Sequence, residues 1–245
     1  MNWIKPDWPV AKNIHAAVTL RSGGVSHSPF DSLNPADHVN DQAKNVQANR
    51  KIIMDMLQLP SEPKWLQQVH GSQVVKADQM ETMEQADASY TDQANCICAI
   101  LTADCLPILL ATNDGTKIAA IHGGWRSLLT DIISNTVNKL DSTNIIAWLG
   151  PAIGVDRFEV GAEIKQHFVG KSAKFATAFK ATKFKKAGQN KYLADIYQLA
   201  RIELTTLGIT QIYGGNFCTV TEQQRFFSYR RDGETGRMAT LIWRD

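Results

Sequence analysis

The stretch from Leu101 to His122 constrains this chain most. Leu101-Thr-Ala-Asp-Cys-Leu-Pro-Ile-Leu-Leu110 is an apolar run with an acid and a thiol, Asp104 and Cys105, in its middle. Asn113-Asp-Gly115 is a hairpin turn signal, and Lys117–His122 reads as the return strand. The hairpin brings Cys105 and His122 to adjacent strands at its open end. A carboxylate without a partner is costly to bury, whereas a free cysteine behaves as a small hydrophobe. The side-by-side pair therefore asks for a reason. Two histidines flank it, His70 in Gln67-Gln-Val-His-Gly71 and His122 in Ile121-His-Gly-Gly-Trp-Arg126. Each sits where an apolar segment meets glycine.

Three donors of nitrogen and sulfur type, His70, Cys105 and His122, suit zinc and also copper. Three protein ligands leave a position for water or substrate, which is the catalytic pattern. The donors are far apart in sequence, so spacing alone does not establish a site. Two other readings stay open at this level. Cys105 with a nearby histidine would form a thiolate–imidazole pair for acyl or amide hydrolysis. Alternatively, the histidines are satisfied core residues and the thiol is inert. The chain has six histidines and no His-x-His pair, too few imidazoles for a multicopper cluster. The His-x-Glu and Pro-Cys-x-x-Cys signature of zinc cytidine-type deaminases is absent.

The surroundings read as follows. His122 lies at a strand-to-helix junction, with Gly123 and Gly124 ahead of a helix to about Leu140 that carries Leu128, Ile132, Ile133 and Val137 on its apolar face. Such junctions bind anions through free N–H groups, and Arg126 adds a guanidinium suited either to phosphate or carboxylate or to a surface ion pair. Further helices are expected from a cap at Asn40 or Asp41 to Leu57, over Ala162–Val169, and over Tyr192–Leu207. Strands are expected at Ala16–Leu20, Lys64–His70, Val74–Lys76, Asn144–Leu149, Gln211–Tyr213 and Phe217–Val220, with Phe226–Arg231 paired to Met238–Trp243. Cys96 and Cys98 are expected on one face of a strand in a structural role. Gln79–Asp92 is polar and acidic and reads as a loop. Ser22–Asn40 is a long irregular segment, either a functional loop or a plain surface connection. Strands and helices mix without clean βαβ alternation, which favours an α+β architecture, read as one domain over residues 1–245.

Hydrophobic residues make up 44% and charged residues 20% of the 245, with net charge +2. That charge is too weak to indicate nucleic-acid binding. The basic run Lys180–Lys186 reads as a solvated face; the arginines of Arg225–Arg237 face either solvent or an anionic substrate. No apolar run reaches membrane-spanning length, and Met1–Pro9 lacks a signal-peptide core, so a cytoplasmic protein is expected. The four cysteines form no disulfide framework. Nothing indicates the oligomeric state.

The ordered motifs resemble one family over almost the whole chain. They are Thr19-Leu-Arg-Ser-Gly-Gly-Val-Ser26, Phe30-Asp-Ser-Leu-Asn34, His38-Val39, Asn49-Arg50, Gln68-Val-His-Gly71, Thr102-Ala-Asp-Cys-Leu-Pro107, His122-Gly-Gly-Trp-Arg126, Gly150-Pro-Ala-Ile-Gly154, Phe158-Glu-Val-Gly161 and Phe226-Phe-Ser-Tyr-Arg-Arg-Asp-Gly233. Together they are similar to the YfiH or laccase-domain proteins, described as purine nucleoside phosphorylases with accompanying adenosine deaminase activity and earlier labelled polyphenol oxidases. The resemblance implies two mixed β-sheets packed as a sandwich and flanked by helices, similar to a bacterial toxin deamidase. It implies a zinc site, or a copper one, on His70, Cys105 and His122. It implies as substrates phosphate with adenosine, inosine, guanosine or methylthioadenosine. Asp104 becomes a candidate proton carrier or ligand-orienting residue. Arg21, Arg126 and Arg230 become candidates for phosphate, and Asn34 and His38 for substrate. Departures from the family pattern, at Gly123, Ser127 and Pro35-Ala36, touch none of the proposed ligands. A cysteine amidase acting on peptidoglycan precursors and a copper-dependent polyphenol oxidase are the alternatives.

Overall fold

The computed structural model describes residues 3–182 and 191–245. The predicted hairpin forms, with Leu106 opposite Gly123 and Ala111 opposite Ile118. Every residue of its two strands is buried. The turn needs Gly115, whose φ is +71°; a Cβ there would lie 2.5 Å from Asn13 Oδ1. Asp114 ties the loop by accepting from Thr112 Oγ1 at 2.6 Å and Thr116 N at 3.0 Å.

In chain order the elements are β1 (Trp3–Ile4), β2 (Ile14–Thr19), α1 (Ala43–Leu57), β3 (Leu66–Gln67), β4 (Val74–Lys76), β5 (Glu84–Gln85), β6 (Ala88–Thr91) and β7 (Cys98–Thr102). The hairpin strands β8 (Leu106–Thr112) and β9 (Ile118–Gly123) follow, then α2 (Trp125–Leu129), α3 (Ile132–Leu140), β10 (Ile145–Leu149), β11 (Glu159–Gly161) and α4 (Ala162–Lys171). The chain continues with β12 (Phe179–Ala181), β13 (Lys191–Ala194), α5 (Ile196–Thr206), β14 (Gln211–Gly214), α6 (Tyr229–Asp232) and β15 (Met238–Arg244).

Two sheets dominate this α+β fold. The six-stranded sheet runs β14-β10-β8-β9-β6-β4 and is mixed, since β10 and β14 are parallel, as are β4 and β6. The four-stranded sheet runs β1-β2-β15-β7 and is antiparallel throughout, so the mixed character expected of both sheets is confined to the larger. Between them lies a core of Val18, Ile100 and Met238 from one sheet with Leu109, Ala120 and Trp148 from the other. The outer face of the larger sheet packs Leu106, Ile108 and Ile121 against Ile132, Phe168 and Leu199 of the helices. The outer face of the smaller sheet packs Ala99, Leu101 and Leu241 under Ile53 of α1 and Leu33. Period-two alternation explains this layering, because each strand feeds two cores.

Several expectations are corrected. Gln79–Asp92 is not a loop: β6 sits inside the larger sheet, and its Ser89 and Thr91 are fully buried. Tyr192–Ala194 is strand, not helix, and pairs on both sides with β11 and β12; Asp195 then caps α5 by accepting from Gln198 N. Phe217–Val220 is irregular, and Phe226–Arg231 is not a strand. Phe226 and Phe227 are both fully buried in the inter-sheet core, and two adjacent inward residues break strand alternation. β15 pairs instead with β2 and β7. The helix after His122 splits at Asp131, whose φ is +70°. Lys64–His70 keeps strand pairing only at β3 and at a single bridge from Lys64 to Cys98. Neither Asn40 nor Asp41 caps α1, which has Gln42 in that position; the Asp41 carboxylate accepts from Ser26 and Asn34 instead. Of the basic run read as solvated, residues 183–186 lie outside the described residues.

Candidate metal centre and its cavity

Cys105 stands where the chain crosses between the sheets. β7 belongs to the smaller sheet and β8 to the larger, and Ala103-Asp-Cys105 joins them. Asp104 makes the crossing with φ +86°, a left-handed conformation that non-glycine residues adopt only when held. It is held at three points. Its carboxylate accepts from Thr219 Oγ1 at 2.5 Å and from Arg230 N at 2.6 Å, and its carbonyl accepts from Ile153 N at 3.0 Å. Burial of this acid is thus explained by hydrogen bonds that fix the turn.

His122 is buried near the end of β9. Its Nδ1 lies 2.7 Å from Asp87 Oδ1. An ionised carboxylate only accepts, so Nδ1 donates this bond and Nε2 is left for the site, where its lone pair can ligate a metal once its proton is displaced. Burial lowers the ring's pKa, but Cys105 and Asp87 outweigh it and raise it to about 9. Asp87 is fully buried just ahead of β6. It also accepts the backbone N–H groups of Val69, His70 and Gly71 at 3.2, 2.9 and 2.6 Å. One carboxylate therefore wraps the loop carrying His70 and orients the ring of His122. Burial raises the Asp87 pKa, but the bonds to His122, Gly71 and His70 outweigh it and hold the carboxyl below its ordinary value.

His70 has φ +60°, and its ring meets that of His122 edge-on with centroids 4.7 Å apart. Its Nε2 lies 3.6 Å from Cys105 Sγ. All three donor atoms of His70, Cys105 and His122 lie within 4.8 Å of one another. Tetrahedral zinc bonds of about 2.0–2.3 Å set ligand atoms roughly 3.3–3.6 Å apart. The 3.6 Å Cys105–His70 pair already matches this, and a donor pair at the 4.8 Å limit would close by about 1 Å to share the ion. Burial pushes the Cys105 thiol up, but the His122 and His70 imidazoles more than reverse this and bring it down to about 6. That is the thiolate that a metal, or a nucleophilic mechanism, requires. Gly124 is obligatory here: a Cβ would lie 2.7 Å from His70 Cδ2 and 3.4 Å from Cys105 Sγ.

The three donors line a cavity of about 450 Å³. Trp125, Ile153, Phe158 and Ile196 supply apolar wall, and His38, Arg126, Arg230, Arg237 and Tyr229 polar wall. Arg126 is exposed, with its guanidinium 4.4 Å from the Trp125 ring centroid. Arg230 donates to the Arg157 and Glu159 carbonyls. The arginine ion pairs of the described residues go to Arg21, Arg50, Arg225 and Arg231, which leaves the cavity arginines without a carboxylate partner. Two expected contacts lie elsewhere. Arg21 lines a separate polar cavity, paired with Asp31 and bonded to the Gln223 carbonyl. Asn34 is fully buried and bonds to Ala36, Asp41 and Arg237 N. Asp87 carries no signal of its own in the sequence, Arg237 appears there only as the end of a basic run, and Gln68 and Tyr229 only as members of motifs. The Gln68 amide pairs with both polar groups of the Leu101 backbone. The acidic composition of Gln79–Asp92 hid Asp87, although the alternation of Ala88 and Tyr90 was a signal for β6.

Fold and site together define an α+β sandwich with an N/N/S donor group at the floor of a cation-lined cavity. The chain belongs to the family described as multi-copper polyphenol oxidoreductase laccase, whose model matches residues 15–245. It is 47% identical over 243 residues to the purine nucleoside phosphorylase YfiH of Escherichia coli, covering 98% of each chain. It is 45% identical to a Pseudomonas aeruginosa protein also named purine nucleoside phosphorylase, again over 98% of each. A crystal structure of a Neisseria meningitidis protein of family DUF152 superposes with TM-score 0.93 at 42% identity, covering 100% of both chains. No helix among the described residues is long and apolar enough to cross a membrane.

Proposed function

We propose that this chain is a purine nucleoside phosphorylase that works in the cavity above His70, Cys105 and His122. The observation that carries the reading is the pairing, in one cavity, of a three-donor N/N/S group with arginines that lack carboxylate partners. The names of its relatives point the same way. Adenosine, inosine, guanosine and methylthioadenosine are the proposed nucleosides, with deamination of adenosine as a second reaction at the same place.

In phosphorolysis a phosphate oxygen forms a bond to C1′ of the pentose while the C1′–N9 bond breaks. The bonding pair leaves with the purine, and the proton of hydrogen phosphate ends on the base. Arg126 and Arg230 attract the phosphate, and His38 stands at the rim. Trp125, Ile153 and Phe158 pack against the apolar faces of the nucleoside and exclude water, which strengthens each charge contact inside. His70, Cys105 and His122 would hold zinc or copper. Such an ion supplies Lewis acidity when bound. Asp104 acts by fixing the turn that presents Cys105, since both its oxygens accept hydrogen bonds from elements that pack against that turn.

A second reading has its own observation. The 3.6 Å approach of Cys105 Sγ to His70 Nε2 is also the arrangement of a cysteine amidase. Incubation with adenosine and phosphate separates the two. The phosphorylase reading expects adenine and ribose 1-phosphate in equal amounts, with inosine and ammonia as the deamination products. A protein that leaves adenosine intact yet cleaves an amide substrate would refute it.

A further inference from the structure

Arg237 is distinguished among the cavity's cations by how it is held. Its backbone N–H donates to Asn34 Oδ1 at 3.0 Å, and buried Asn34 is itself bonded to Ala36 and Asp41. Its Nη1 donates to the Thr235 and Gly236 carbonyls at 2.7 and 3.0 Å. Backbone and guanidinium are therefore both fixed. Its Nε and Nη2 have no hydrogen-bond partner among the described residues, and no described carboxylate pairs with it. In a planar guanidinium these two N–H groups lie parallel on one edge, the geometry that takes two oxygens of a phosphate. Arg237 lines the same cavity as Cys105 and His38. The negative groups near it, Cys105 and Asp104, act on it through space without a hydrogen bond, so its unused edge stays open to a bound anion. By contrast, Arg126 is exposed over Trp125, free to adapt but not pre-organised.

We propose that Arg237 binds inorganic phosphate through its Nε–Nη2 edge, with Asn34 as the residue that positions it. The proposal rests on the phosphorolysis reading for its role in turnover, but not for the binding of the anion.

The test uses wild type, Arg237→Met and Arg237→Lys, with two readouts: initial rates of inosine phosphorolysis against phosphate concentration, and the rise in Tm that phosphate produces. Arg237→Met should raise KM for phosphate by roughly tenfold or more while KM for inosine stays within about twofold. It should also lose the phosphate-dependent rise in Tm. Arg237→Lys keeps charge but not the edge, and should fall between; it carries the test if Arg237→Met does not fold. A folded variant with wild-type phosphate KM overturns the proposal. If wild type consumes no phosphate, the phosphorylase reading fails and the Tm readout alone decides. A rise lost in the variants then supports Arg237, whereas a rise they retain, or no rise in wild type, refutes it.

Discussion

The cavity has two poles built by opposite means. The donor pole rests on strand ends. Cys105 precedes β8, His122 closes β9, and Asp87, entering β6, binds His122 and the His70 loop at once. The cationic pole rests on irregular chain and short helices. Arg126 belongs to α2, Arg230 to α6, and Arg237 directly precedes β15. Donors must sit within tenths of an ångström of a metal's preferred distances, and here buried His122 and half-buried Cys105 stand at the hairpin, while exposed His70 is held through its backbone by Asp87. Phosphate tolerates looser geometry, so its cations stand on segments whose side chains reach inward.

The sharpest way to break this contrast is Asp87→Asn. The change removes the carboxylate that orients the His122 ring and gathers the Val69–Gly71 N–H groups. Loss of such an outer partner typically costs about 10–100-fold in metal affinity, and that fall is expected in chelator competition. Unchanged affinity would mean that strand geometry alone holds the donors. A smaller effect is expected at the other pole. Arg126→Ala should raise KM for phosphate several-fold and leave both metal content and inosine KM near wild type, because an exposed guanidinium contributes modestly. A larger change in the nucleoside KM than in the phosphate KM would reject the assignment.

The two poles also differ in how far they could be read from sequence. The hairpin was legible because its signals are local: an apolar run, an Asn-Asp-Gly turn and a second apolar run set strand pairing and the proximity of Cys105 to His122. The place of His70 was legible only weakly, from an apolar segment meeting glycine, and the family motifs strengthened it, since its position depends on Asp87, a long-range partner in a segment whose acidity masked a buried strand. Arg21 and Asn34 lie in or beside a loop whose composition marks irregular chain but not direction. In the fold, Arg21 turns to Asp31 and Asn34 to its own neighbour Ala36. Phe226 and Phe227 were misread as strand because aromatic residues favour sheets, while packing demanded both inside.

The central claim is that His70, Cys105 and His122 act together as a metal centre on which turnover depends. Elemental analysis of purified wild type and Cys105→Ala, with ribose 1-phosphate release measured on the same samples, tests it most directly. The account predicts about one equivalent of metal per wild-type chain, and a Cys105→Ala protein that has lost both metal and product formation. A variant that loses its metal but releases ribose 1-phosphate at the wild-type rate would contradict it.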